Sequence, residues 1–263
     1  MAKTGVHAKL YLQNVAVWLV ATVVSGIFIY RAQGGKTMNR AGGWLPIGCL
    51  VWIGLTFCFR EIQGVHRWIG FGGLRLHAAS MALPILLIGL GTHAYDRFTI
   101  AYFGSTVIAL GLLLMQPDAG QATAFAAALG IQLAPRRRGR AYNFLGLAAL
   151  LGVVVVAWLR PDPLPPVPHV EGIVGLAGNL GIQYSLAAVC FLGLIPLPFL
   201  AAMLCSSQGR NRLVAASLTV YFAASLIVPF IGNFPVPLMG YGMSPLLGYF
   251  AALTWLLSRE HRP

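Results

Sequence analysis

The feature that most constrains this chain is a succession of long apolar runs separated by short polar or basic breaks. About 20 apolar residues cross a hydrocarbon core as a helix. Runs near 11–30, 44–59, 78–95, 98–115, 119–134, 141–159, 173–203, 211–231 and 244–258 meet or approach that length. The expected fold is therefore all-α: a polytopic transmembrane helical bundle of about nine spans, one integral membrane domain over 1–263, with no part polar and long enough to fold separately in water. The runs 44–59 and 119–134 are short, which leaves a half-buried or re-entrant path open for either. Pro196 and Pro198 predict a kink in the long seventh run.

Composition excludes the soluble classes, since 58% of the residues are hydrophobic and only 9% charged. A net charge of +12 can signal nucleic acid, but Lys and Arg here form short clusters between apolar runs, the distribution of membrane anchors. Nucleic acid is accordingly not an expected partner; membrane lipid is. Cys49, Cys58, Cys190 and Cys205 lie in apolar segments without ligand spacing or a disulfide framework and read as packing residues. The first apolar run is too long for a signal-peptide core and lacks a small-x-small exit, so it is expected to remain in the mature protein.

Orientation follows from the basic loops. Arg136, Arg137, Arg138 and Arg140 form one knot, and Arg210 with Arg212 and Arg259 with Arg262 form two more; with nine spans all three fall on one face. Together with Arg31, Lys36, Arg40 and Arg97 that face holds 12 of the 18 basic residues, which predicts a cytoplasmic C-terminus and an external N-terminus. Arg60, Arg67 and Arg75 then cluster on the outer face, where positive charge is normally sparse, beside Asp118, Asp162 and Glu171. Interfacial snorkelling and mutual salt bridges account for such a cluster as well as a binding entrance does.

Four outer segments carry the remaining polar chemistry. Val65 to His77 alternates cations, an interfacial Trp68 and glycines; it can rest on the headgroup layer while Arg67 and Arg75 offer two-donor contacts to phosphates. In Gln116-Pro117-Asp118-Ala119-Gly120 a helix ends at Pro117 and another starts with Asp118 as its cap, although a carboxylate at membrane depth is also a site candidate. The Pro-rich extracytoplasmic loop 160–172 is stiff and extended and delivers His169 and Glu171 to the head of the next span. A carboxylate at that boundary suits either capping or, with a raised pKa tuned by the imidazole, removal of a proton from a hydroxyl. Asn233 to Pro245 re-enters the last span with glycines beside Tyr241, as a loop or as a wall of the same cavity. His93, Gln132 and Gln183 read as structural. There is no P-loop, HExxH, CxxC or Gly-x-Ser-x-Gly, and no internal repeat of the kind a transporter would show.

In order, Arg67-Trp68-Ile69-Gly70, Gln116-Pro117-Asp118-Ala119-Gly120, Pro168-His169-Val170-Glu171 and Pro235-Val236-Pro237-Leu238-Met239-Gly240-Tyr241-Gly242-Met243-Ser244 resemble the SEDS family of the RodA, FtsW and SpoVE type. The resemblance runs from about residue 44 to the C-terminus and identifies the chain as a divergent, shortened member. It implies a ten-span fold lacking its first span, a bacterial inner-membrane location, and polymerisation of a polyprenyl-diphosphate-linked disaccharide into peptidoglycan strands, with a transpeptidase or other envelope protein as partner. Glu171 then matches the family's catalytic Asp, while Arg67, Arg75, Asp118, His169 and Tyr241 line the substrate cavity. No cofactor is required, although carboxylates around a diphosphate could hold a divalent cation such as Mg²⁺. The chain departs from the pattern where the family has Gln-Pro-Ser-Glu-x-x-Lys: the segment reads His77-Ala78-Ala79-Ser80-Met81-Ala82-Leu83, without acid or lysine. A degenerate binding protein that keeps the fold is the alternative expectation.

Overall fold

The computed structural model describes residues 8–32, 44–94, 100–133, 140–240 and 242–260. Each expected run is helical: α1 (Ala8–Ala32), α2 (Leu45–Gly54, continued by a 3-10 turn Leu55–Cys58), α3 (Ala78–Ala94), α4 (Ile100–Met115), α5 (Ala119–Leu133) and α6 (Arg140–Leu159). The seventh run is three helices, α7 (Ile173–Gly178), α8 (Ile182–Gly193) and α9 (Leu197–Cys205), followed by α10 (Gly209–Ile227) and α11 (Met243–Glu260). Among the described residues, four segments are long and apolar enough to cross a membrane: Leu12–Arg31, Ala141–Leu159, Ile182–Cys205 and Gly209–Phe230. At 1.5 Å per residue the 15-residue α5 is only about 22 Å long, so the shortness read from sequence is real.

The seventh run breaks more than its prolines predict. Pro196 and Pro198 interrupt it between α8 and α9 as expected, and a second break at Gly181, where φ is +140°, separates α7 from α8. Glycine is the residue that tolerates this φ. Trp68–Phe71 and Leu74–His77 form an antiparallel hairpin, β1 and β2, pairing Trp68 with His77 across Gly72 at φ +59°. This small sheet is an addition to the all-α expectation, and it sets Arg67 and His77 on adjacent backbone: Ala78 N–H donates to the Arg67 carbonyl at 3.0 Å.

The core is α5 wedged between α3 and α10. Ala122, Ala124, Ala126 and Ala128 of α5 are buried, and small residues let helix backbones approach where lipid supplies no hydrophobic drive. Gln132, buried in that wedge, donates to the Leu87 carbonyl of α3 at 2.9 Å and to Ser217 Oγ of α10 at 3.2 Å, the structural role read from sequence. Around this centre, α1, α6 and α8 present exposed Val20, Val23, Leu151 and Phe191, an apolar exterior suited to acyl chains rather than water.

Gly248 fixes the approach of α11 to α3. A Cβ there would run into the Ser80 carbonyl oxygen and lie 3.2 Å from Met81 Cα, backbone atoms that cannot swing aside. Gly248→Ala is therefore expected to lower stability by about 1–3 kcal/mol. Gly152→Ala on α6, where a Cβ meets nothing within 4 Å, is expected to be neutral or slightly stabilising; thermal unfolding in one detergent compares the two.

Candidate functional site

The starts of α3, α5 and α11 meet the C-terminal part of α10 at one end of the bundle. There the hairpin, the extended 164–171 segment and the 235–245 segment enclose a cavity of about 440 Å³. Arg75, His77, Ser80, Gln121, Glu171, Tyr221, Ser225 and Ser244 border it. A crevice of about 40 Å³ shares His77, Gln121, Glu171 and Ser225 and adds Arg67 and Asp118. Gly240 allows the wall to close, since a Cβ there would come within 2.6 Å of the Val170 carbonyl oxygen; Val236 N–H donates to that same oxygen at 3.2 Å. The two segments on either side of the cavity are thus joined through backbone.

Arg67 is 3% exposed. Its Nε donates to the Gln116 carbonyl at 3.1 Å, and Nη2 donates to the Pro117 carbonyl and, at 2.8 Å, to Asp162 Oδ2. Gln116 is itself buried and donates through Nε2 to the Ile53 carbonyl at 3.1 Å and to Thr56 Oγ1 at 2.7 Å. One guanidinium therefore ties the α4–α5 turn to the Pro-rich loop. Of the roles considered from sequence, the salt-bridge role describes the geometry of Arg67, while Arg75 is exposed and borders the cavity.

Asp118 caps α5, as its position implied: Oδ1 accepts from Gln121 N–H at 3.1 Å. Its second oxygen, Oδ2, lies 3.2 Å from His77 Nε2. His77 is in turn the cap of α3, because its Nδ1 accepts from Ser80 N–H at 3.3 Å, while its own backbone N–H donates to Ser244 Oγ, at the start of α11, at 2.7 Å. An imidazole accepting at Nδ1 carries its proton on Nε2, the atom facing Asp118. Burial pushes the Asp118 carboxyl up, but the charge of Arg67 and the contact with His77 outweigh it and hold the group below the ordinary value of 3.8. Sequence reading overlooked His77 as a site residue because it opens a segment that departs from the family pattern, standing at the Gln position with Ser80 at that of the acid; its position immediately before an apolar helix was the available signal.

Glu171 is half-buried on both cavity and crevice, with Oε2 accepting from Val167 N–H at 2.6 Å. Desolvation raises its carboxyl above the ordinary 4.5, against the lowering effect of that N–H and of the His169 charge. His169 is not among the residues that border the cavity, and its charge acts on the Glu171 carboxyl. Tyr241 lies outside the described residues. Among the described residues no three His, Cys, Asp or Glu side chains converge as a metal-ligand set.

Fold and cavity together define a multi-pass helical membrane protein with a polar cavity where several of its helices begin. No family model matches the sequence. The probable peptidoglycan glycosyltransferases FtsW of Caulobacter vibrioides, Pseudomonas fluorescens and Aromatoleum aromaticum are similar at 29%, 32% and 24% identity over 107, 91 and 173 residues. These matches cover 36%, 30% and 60% of this chain but only 26%, 22% and 42% of those proteins. Among solved structures, the rod shape determining protein RodA of Thermus thermophilus superposes with a TM-score of 0.66 at 17% identity, and a mutant of it with 0.70 at 19%, each covering 99% of this chain and 91% of RodA. A chain from a peptidoglycan synthase complex that coordinates polymerization and crosslinking gives 0.65 at 21%, covering 94% and 90%. The bundle is the RodA fold. The partial sequence similarity to FtsW and the RodA fold together support the resemblance to the SEDS family carried by the motifs, in a shortened chain.

Proposed function

We propose that this protein serves cell-wall synthesis in a bacterial inner membrane and that its cavity takes a polyprenyl-diphosphate-linked sugar, with Glu171 as general base. The observation that carries this reading is Glu171 itself: a carboxylate on the cavity wall with one oxygen fixed by Val167 N–H and its basicity raised by burial. In the reaction, an acceptor hydroxyl oxygen bonds to the anomeric carbon of the donor sugar as its proton passes to Glu171. The bond from that carbon to the diphosphate breaks, and the diphosphate leaves. Arg75 at the cavity edge, with the positive ends of α3, α5 and α11, suits the departing anion. Arg67 and Asp118 act by holding the walls. The external N-terminus and cytoplasmic C-terminus belong to the same reading, as does a transpeptidase or similar envelope partner.

A non-catalytic binding role is favoured by one specific observation: the position of the family's lysine is Leu83, fully buried, and that of its acid-bearing segment carries no carboxylate. Glycan-strand formation from labelled lipid-linked disaccharide by purified protein in liposomes separates the two. Polymer from wild type and none from folded Glu171→Gln is the expected result. No polymer from either, with the lipid substrate still bound, would leave the binding role.

A further inference from the structure

On the reading of the large cavity as the place of a lipid-linked sugar, we infer that the small crevice beside it holds a water against Glu171, and that the protein also hydrolyses the glycosyl diphosphate it takes as donor. The two spaces differ in what they admit. The cavity measures about 440 Å³ and the crevice about 40 Å³, which has room for about one or two waters but not for a sugar ring. The crevice is also held at that size. Phe234 in its wall is pinned against Gly120 and Gly232, where Cβ atoms would come within 2.6 and 2.7 Å of the ring, and it packs edge-on against Trp158 at 5.6 Å.

Polar atoms around the crevice have hydrogen-bonding capacity left for a water. Ser225, 8% exposed on α10, has an Oγ with no hydrogen-bond partner among the described residues. One turn earlier on the same helix face, the Tyr221 hydroxyl donates to Gln121 Oε1 at 2.6 Å. That bond fixes the Gln121 amide and leaves its two Nε2 hydrogens, which donate to nothing among the described residues, for the space that Gln121 borders. A buried hydroxyl without a partner is costly, and a water with about two to four polar contacts relieves it. Gln121, Ser225 and Glu171 border both cavity and crevice, so a water held by the first two stands beside the carboxylate and next to the place of the donor sugar. In the reaction the water oxygen bonds to the anomeric carbon as one of its protons passes to Glu171. The bond from that carbon to the diphosphate breaks, and the products are the free reducing sugar and polyprenyl diphosphate. Gln121 and Ser225 are positioning residues that orient the nucleophile.

The test incubates the full chain in liposomes with labelled lipid-linked disaccharide, in water enriched in heavy oxygen, and measures free disaccharide and glycan strands separately. Wild type is expected to release free disaccharide alongside strands, with no heavy oxygen in the polyprenyl diphosphate, and folded Glu171→Gln to make neither product. In Gln121→Leu/Ser225→Ala the ratio of free disaccharide to strands should fall at least roughly tenfold, the worth of a positioning hydrogen bond. Should that variant fold poorly, Ser225→Ala alone, which deletes only an unbonded hydroxyl, should lower the same ratio. A loss of folding would lower both products together, so the ratio separates positioning from structure. Strands without free disaccharide, or an unchanged ratio in the folded variants, would overturn the hydrolysis and leave the polymerising reading intact. Free disaccharide without strands would keep the hydrolysis and remove polymerisation, and neither product would remove both. Heavy oxygen in the polyprenyl diphosphate would place the attack on phosphorus and overturn the crevice water.

Discussion

Arg67→Met is expected to destabilise the protein by about 3–5 kcal/mol, because removing one partner of a buried pair strands everything that partner satisfied. The Gln116 and Pro117 carbonyls and Asp162 Oδ2 all lose their donor to a side chain of similar length that can only fill the space. The damage spreads to Asp118, whose carboxyl is held low partly by the Arg67 charge. A carboxyl with a lowered folded-state pKa contributes stability above its unfolded value of 3.8, and that contribution is lost as pH falls through the folded value. In Arg67→Met the loss should begin at higher pH than in wild type. Unfolding in detergent across pH 3 to 7 reads both effects, and adding Asp162→Ala to the variant should recover part of the stability by removing the stranded carboxylate. Equal Tm values for wild type and Arg67→Met would show that the guanidinium is not the clamp between the α4–α5 turn and the Pro-rich loop.

Glu171→Gln is expected to lower strand formation roughly 10²–10⁴-fold, the usual worth of a positioned general base. The pH profile carries the sign. The base must be ionised to accept a proton, so the rate should fall as pH drops through the Glu171 pKa, with the midpoint above 4.5 because burial raises it. Stability moves the other way. A raised carboxyl is harder to ionise in the folded state, so it costs a little stability above its folded pKa and nothing below 4.5. Glutamine keeps an oxygen for the Val167 N–H and removes that cost, so the variant should fold at least as well at neutral pH. An acid limb unchanged in the variant would take the base role away from Glu171.

Much of the fold was legible because the solvent imposes it: in a bilayer every backbone group must be satisfied inside its own segment, so runs of apolar residues become helices with little room for tertiary correction. That is why the short α5 and the proline break before Leu197 could be anticipated from sequence. The break at Gly181 and the hairpin from Trp68 to His77 could not, since each depends on a backbone turn whose partners lie in space rather than in sequence. At the site, the cap role of Asp118 was readable from local spacing, as was the placement of Glu171 at the head of a span.

By itself the sequence determined that this chain is a multi-pass helical membrane protein, which segments carry its polar chemistry, and which family its motifs resemble. Only the tertiary structure decided how those polar groups are spent. Arg67 and Asp162, 95 positions apart, neutralise each other beneath the cavity, leaving Arg75 as the arginine on its border, and His77 becomes the junction of α3, α5 and α11. Apolar runs are read one at a time by the membrane, whereas a buried charge is tolerated only where the folded chain brings it a partner.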